Sequence, residues 1–141
     1  MADLAVTAAN VKIVSGLTAT AAIAGAAVTA GQPVYPDGGK YYPARANAAG
    51  TADASAIALN SAGADQPLSI TSGEFGTAGG VIDIGAVVAV GTIYVVSAAA
   101  AGGIAPATDL AATNRVTVIG VGVTASNIRL GWNASGVAVP A

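Results

Sequence analysis

A chain of 141 residues has the size of one domain with a single continuous core, which argues against two independent domains. Only 9% of it is charged, against about 25% in an average soluble domain, and the net charge is −2; the basic residues Lys12, Lys40, Arg45, Arg115 and Arg129 stand singly, so the concentrated positive footprint that nucleic acid requires is missing. Histidine and cysteine are both absent, which removes the commonest general base, the commonest nucleophile, the usual transition-metal ligands and any disulfide framework, and with them most enzyme classes.

Hydrophobic residues are 54% of the chain, but much of that is alanine, and only one Phe, one Trp and four Tyr occur. The expected core is therefore thin and aliphatic, built from Val, Ile and Leu. With so few charges the surface must be made of Ala, Gly, Ser, Thr and Asn, and such a surface repels neighbours weakly and favours association. The alternative is a monomer kept soluble by its Ser and Thr hydroxyls.

From the N-terminus, residues 2–10 hold little that would anchor them to a small β core, and they are expected as an extended arm. A secretion signal is not favoured, because Asp3 stands where a basic region belongs and the stretch after Lys12 is mostly Ala, Thr and Gly rather than Leu. Short β-branched runs bounded by Gly, Pro, Asn and Asp then recur to the C-terminus, while amphipathic helical stretches are lacking. Strands are predicted at 11–14, 33–35, 40–44, 56–59, 68–71, 81–84, 87–90, 92–97, 116–120, 128–132 and 137–139. Pro36-Asp37-Gly38-Gly39 is the clearest turn: proline presets a negative φ, the glycines accept positive φ, and Val34-Tyr35 joins Tyr41-Tyr42 in a hairpin. Alanine clusters at 19–27, 46–58 and 98–101 favour helix by propensity. Interspersed Gly, Thr and Ser argue against it in two of them, which leaves a short helical turn at 51–56 or 106–110.

The glycine-rich stretch 73–80 contains Glu74 and lacks Gly-Lys-Ser/Thr, so it reads as a loop and not as a phosphate cradle. Residues 84–108 carry no charge and are long enough to span a bilayer. Gly85, Gly91, Gly102, Gly103 and Pro106 break them into β-branched runs, so strands and turns are predicted and no membrane partner. Further on, Asn127, Arg129 and Gly131 alternate with Ile128, Leu130 and Trp132, the pattern of a strand with one buried face. Asn133-Ala134-Ser135-Gly136 reads as a turn into the last strand rather than as a glycan acceptor. The elements together predict an all-β fold: one compact β-barrel or β-sandwich domain over residues 1–141, with at most one or two short helical turns.

The acids Asp3, Asp37, Asp53, Asp65, Glu74, Asp83 and Asp109 are well separated and mostly beside Gly, Pro, Ser or Thr, which suits turns and caps. No spacing marks a catalytic carboxylate pair, and no catalytic residue, metal site or cofactor is expected. The one concentration of residue types favoured at protein interfaces is Tyr35, Lys40, Tyr41, Tyr42 and Arg45. Tyr41, Tyr42 and Arg45 are the candidate protein-contact residues. The competing view is a hairpin whose Tyr rings cover the thin core while Lys40 and Arg45 face solvent.

Several segments resemble a family of phage head decoration, or capsid cement, proteins. They are Gly31-Gln32-Pro33-Val34, Gly50-Thr51-Ala52-Asp53-Ala54 leading to Ile57-Ala58-Leu59-Asn60, and Val90-Gly91-Thr92-Ile93-Tyr94-Val95-Val96-Ser97 running into Gly102-Gly103-Ile104-Ala105-Pro106. Asp109-Leu110 and Thr117-Val118-Ile119-Gly120-Val121 complete the likeness, which spans roughly residues 30–130 and consists of strand and turn residues. The resemblance implies a β-barrel-like or β-sandwich body on the exterior of a phage capsid, bound to the major capsid protein, often as a homotrimer, with no catalytic residues. Two rivals share the composition. A tail, baseplate or head-fibre component would usually show periodic repeats, and a surface carbohydrate-binding module would expose more aromatic rings than this chain holds.

Overall fold

The computed structural model describes residues 3–48, 50–71 and 80–139, and of residues 132–136 and 138 the backbone alone. The expected loop at 73–80, all but Gly80, and the side chain of Trp132 lie outside the described residues. Period-two burial is clearest in the longest strands: Ile128 and Leu130 are buried while Arg129 between them is exposed, and Thr117 and Ile119 are buried beside half-buried Val116 and Val118.

The described residues form eleven strands: β1 (Lys12–Ser15), β2 (Thr20–Ile23), β3 (Pro33–Asp37), β4 (Lys40–Pro43), β5 (Ala56–Ala58), β6 (Pro67–Thr71), β7 (Val81–Asp83), β8 (Ile93–Val96), β9 (Ile104–Pro106), β10 (Arg115–Gly122) and β11 (Asn127–Ala138). Two short 3-10 turns, Ala8–Asn10 and Ala107–Asp109, are the only helical elements among them. The second follows Pro106, as expected; in the alternative at 51–56, residues 51–55 are turn and loop and Ala56 begins β5. The strands make two antiparallel sheets, one in the order β1-β7-β11-β10-β8-β9 and the other β2-β6-β5-β3-β4. The fold is thus all-β and sandwich-like, the second of the two predicted architectures, with no closed barrel.

Between the sheets lies a core of Ile57, Ile82, Ile84, Val96, Ile104, Ile119, Ile128 and Leu130, joined by Tyr94. A second, smaller core lies on the other face of the five-stranded sheet: Val34, Ala56, Ala58, Leu68 and Ile70, closed by Ala24 and Val28. In β5 the central Ile57 enters the first core while Ala56 and Ala58 enter the second, so all three residues are buried. The five-stranded sheet curls around its small core until Ala24 bridges Tyr41, with Gly25 N donating to Tyr41 O at 2.8 Å. The loop after β4 ties the sheets together: Ala46 N donates to Ser97 O (2.9 Å), Arg115 N to Ala46 O (2.7 Å), and the buried Thr117 hydroxyl to Ala52 O (2.5 Å).

Four expectations are corrected. Residues 87–90 are a loop rather than a strand, because their backbone is folded back onto the 122–126 turn instead of an open sheet edge. Residues 133–136 do not turn: β11 runs through them to Ala138, and register shifts against β10 between Arg115 and Thr117 and between Val118 and Gly120 place extra residues on β11 as bulges. Strand β2 lies in an alanine cluster and β9 at Ile104–Pro106, neither of them among the predicted strands. Residues 3–10 are held: Leu4 N donates to Ile104 O (2.8 Å), Thr7 N to Gly85 O (2.7 Å) and Ser97 Oγ to the Asp3 carboxylate (2.7 Å), while Leu4, Val6 and Ala8 pack on the first core.

Candidate contact surface

The hairpin predicted to carry the contact residues forms, with Tyr35 opposite Tyr42 and Asp37 opposite Lys40. Gly38 (φ 60°) and Gly39 (φ 85°) make the two-residue turn, and glycine takes both positive φ values without a Cβ penalty. Pro36 sits inside β3 opposite Tyr41 rather than in the turn, beyond the reach of β5, so its missing N–H costs no pairing there.

Most of the hairpin's contact-forming groups are engaged inside the molecule. Tyr41 packs against the second core. Tyr42 stacks on Tyr35 with ring centroids 5.7 Å apart and planes 29° apart, and its ring lies where a Cβ on Gly25 would stand. Arg45 donates from Nε to Ala98 O (2.9 Å) and from Nη2 to Ala99 O (3.1 Å), and Lys40 Nζ is paired with the exposed Asp65 carboxylate. That pairing, first the hydrogen bond and then the charge of Asp65, raises the Lys40 pKa above its ordinary value. Tyr41 and Tyr42 are consecutive on β4 and so face opposite sides of the sheet, Arg45 follows in the loop after β4, and each of the three is partly covered by the chain's own atoms.

The largest exposed apolar groups lie elsewhere. Val87 and Val90 are 87% and 69% exposed, Val137 near the end of β11 is 60% exposed, and Ile93 at the start of β8 is 50% exposed. Burying such side chains rather than leaving them in water is worth about 1.5–3 kcal/mol each, and the loop before β8 leaves Val87 and Val90 out. Its backbone is nevertheless fixed. Ile84 N donates to Ser126 O (3.1 Å), Val88 N to Ala125 O (2.8 Å), Gly91 N to Gly122 O (2.8 Å), and Ala89 N to the hydroxyl of buried Tyr94 (2.9 Å). A Cβ on Gly122 would collide with the Ala89 carbonyl, so the absence of a side chain there is what lets the loop seat on β10. The product is an apolar knob held on a rigid base. Sequence reasoning saw Val87–Val90 as a β-branched run but could not tell an outward loop from a buried strand.

Among the described residues no group of three or more acidic side chains is placed to hold a metal ion, and no helix is long and apolar enough to cross a membrane. The uncharged stretch 84–108 is divided among β8, β9 and their loops. No family model matches the chain, and no curated protein or solved structure matches it.

Proposed function

We propose that the protein is a non-enzymatic structural component of a phage virion that binds the outside of the capsid and stabilises the shell by bridging major capsid subunits, most simply as a homotrimer. The observation that carries this is the rigid loop presenting Val87 and Val90 to solvent: an apolar knob on a fixed base docks without the entropy cost of ordering a mobile segment. The resemblance in the strand and turn residues of 30–130 supplies the partner. The low charge of the chain fits a surface that spends its life against other subunits. Each copy would span neighbouring subunits, so many modest contacts acting together resist disruption.

The test is to compare virions made with and without the gene. Particles that carry the protein should retain their DNA to higher temperature, and protein added back should restore the difference. Equal thermal release of DNA from the two kinds of particle would overturn the proposal.

A further inference from the structure

Residues 3–8 form a strap that belongs to neither sheet, although half-buried Leu4, Val6 and Ala8 alternate with exposed Ala5 and Thr7 as in a strand. The body is shaped to receive it. Val6, the Thr7 carbonyl and the Asp3 carboxylate occupy the places where side chains on Gly31, Gly85 and Gly103 would stand. Gly31 and Gly85 also hold positive φ, but Gly103 does not, so at Gly103 it is the room that matters. Ser97, 1% exposed, donates to the Asp3 carboxylate, and with the strap gone that buried hydroxyl would lose its acceptor. The strap itself is lightly held. Among the described residues two main-chain hydrogen bonds tie it to the body, Leu4 N to Ile104 O and Thr7 N to Gly85 O. Two clefts of about 270 Å³ adjoin Asp3, and one of about 390 Å³ adjoins Ala5 and Thr7, so the packing beside the strap is loose. The Ala8–Asn10 turn that leads from it toward β1 has no side-chain cap and buries no residue fully.

A lightly held segment opens ahead of the rest of the fold, whereas its seat is unfavourable to leave empty, since Leu4, Val6 and Ala8 pack on the first core. Gly31, Gly85, Ser97, Gly103 and Ile104, which make the seat, lie far along the chain, so an identical strap from another molecule fits them equally well. We propose that neighbouring copies exchange straps: residues 3–8 of one copy lie in the seat of the next, and the partner at this site is a second copy of the chain. Exchange remakes the strap's contacts and gives up the turn at 8–10. Straightened, residues 3–10 span about 26 Å, enough to cross to an adjoining molecule. The short tether keeps each strap at home when copies are dilute, and exchange takes over where they are held side by side. The inference rests on the reading of the protein as a homo-oligomer, and names the segment that links its subunits.

The chain has no cysteine, so introduced thiols report the seating. Asp3→Cys and Ser97→Cys are made in separate full-length chains, one with a size tag, then mixed at high concentration, warmed below the melting temperature and oxidised. A covalent pair of tagged and untagged chains is expected, because the thiol at position 97 is buried against everything but the strap. Val14→Cys in place of Ser97→Cys should give no pair with Asp3→Cys. A single chain carrying both Asp3→Cys and Ser97→Cys should close on itself when dilute and link between copies when concentrated. Self-closure at every concentration, as much pairing with Val14→Cys, or no linkage of either kind would overturn the inference. The wild-type sequence supplies a second reading that no substitution can disturb: in a mixture of isotope-labelled and unlabelled protein, filtered nuclear Overhauser contacts should join Val6 of one copy to Gly31 of another, and their absence in a concentrated, associated sample counts against exchange. Shell binding separates the two proposals. An oligomer that binds shells with every strap closed on its own chain sinks the exchange alone, whereas exchanged straps in a protein that binds no shell sink the capsid reading and leave the exchange standing.

Discussion

The two cores of this protein are built on different principles. The core between the sheets is filled by isoleucine, with Ile57, Ile82, Ile84, Ile104, Ile119 and Ile128 all essentially without solvent contact. The core under the curled five-stranded sheet is lined by Ala24, Ala56 and Ala58 together with Val28, Val34, Leu68 and Ile70. In the first, stability comes from the apolar area that large side chains remove from water. In the second, alanines share the interior with Val28, Val34, Leu68 and Ile70, so less apolar area is buried under the paired strands β2, β6, β5, β3 and β4. An alanine-rich chain can therefore support two cores, the larger taking most of the isoleucines and the smaller mixing alanine with Val28, Val34, Leu68 and Ile70.

The sharpest way to break this comparison is truncation in the isoleucine core. Ile119→Ala or Ile128→Ala removes a fully buried side chain from the middle of the sandwich and should cost about 2–5 kcal/mol in chemical denaturation. The small core should be sensitive to the opposite change, from small to large. Ala58→Leu, at a site with no exposed surface, should destabilise by about 1–3 kcal/mol through overpacking, and if it is neutral or stabilising the second core is not close-packed as described. A smaller effect is expected at Thr113, which holds φ 71° in the loop leading to β10. A β-branched residue is strained there, so Thr113→Gly should gain up to about 1 kcal/mol, read as a raised melting temperature.

The smallest effect belongs to the exposed Lys40–Asp65 pair on the curled sheet. Because its partner raises the Lys40 pKa, the folded state holds that proton more tightly than the unfolded chain does. The pair's contribution is complete at neutral pH and fades as alkaline pH rises through the raised value. Lys40→Met should therefore shift the melting temperature only slightly at neutral pH and flatten its decline at alkaline pH. An unchanged alkaline slope would contradict the assignment.

The all-β class, most strands and the Gly38-Gly39 hairpin were legible in the sequence because they depend on local chemistry: β-branched runs, punctuation by glycine and proline, and positive φ. What was illegible depends on distant partners. Thr20–Ile23 has the composition of a helix or loop and becomes β2 only through pairing with β6. The polar residues 133–136 look like a turn, and only the neighbouring β10 reveals them as bulged strand. Residues 3–10 lack an anchor of their own, and Ile104, Gly85 and Ser97 supply it from far along the chain. In and just after the hairpin, composition singled out Tyr41, Tyr42 and Arg45, while their engagement by Gly25, the second core and the Ala98 and Ala99 carbonyls was beyond its reach.

The central claim is that the fixed apolar loop is the docking surface, and one measurement addresses it directly: co-sedimentation with capsid particles lacking the protein. The double variant Val87→Asp, Val90→Asp changes two side chains that touch little of the molecule, so its melting temperature should match that of the wild type. Val14→Asp, at a half-exposed site on the edge strand β1, serves as the control. The account predicts that wild type and Val14→Asp pellet with the shells while the double variant stays in the supernatant. If the folded double variant pellets as fully as wild type, the loop is not the docking surface.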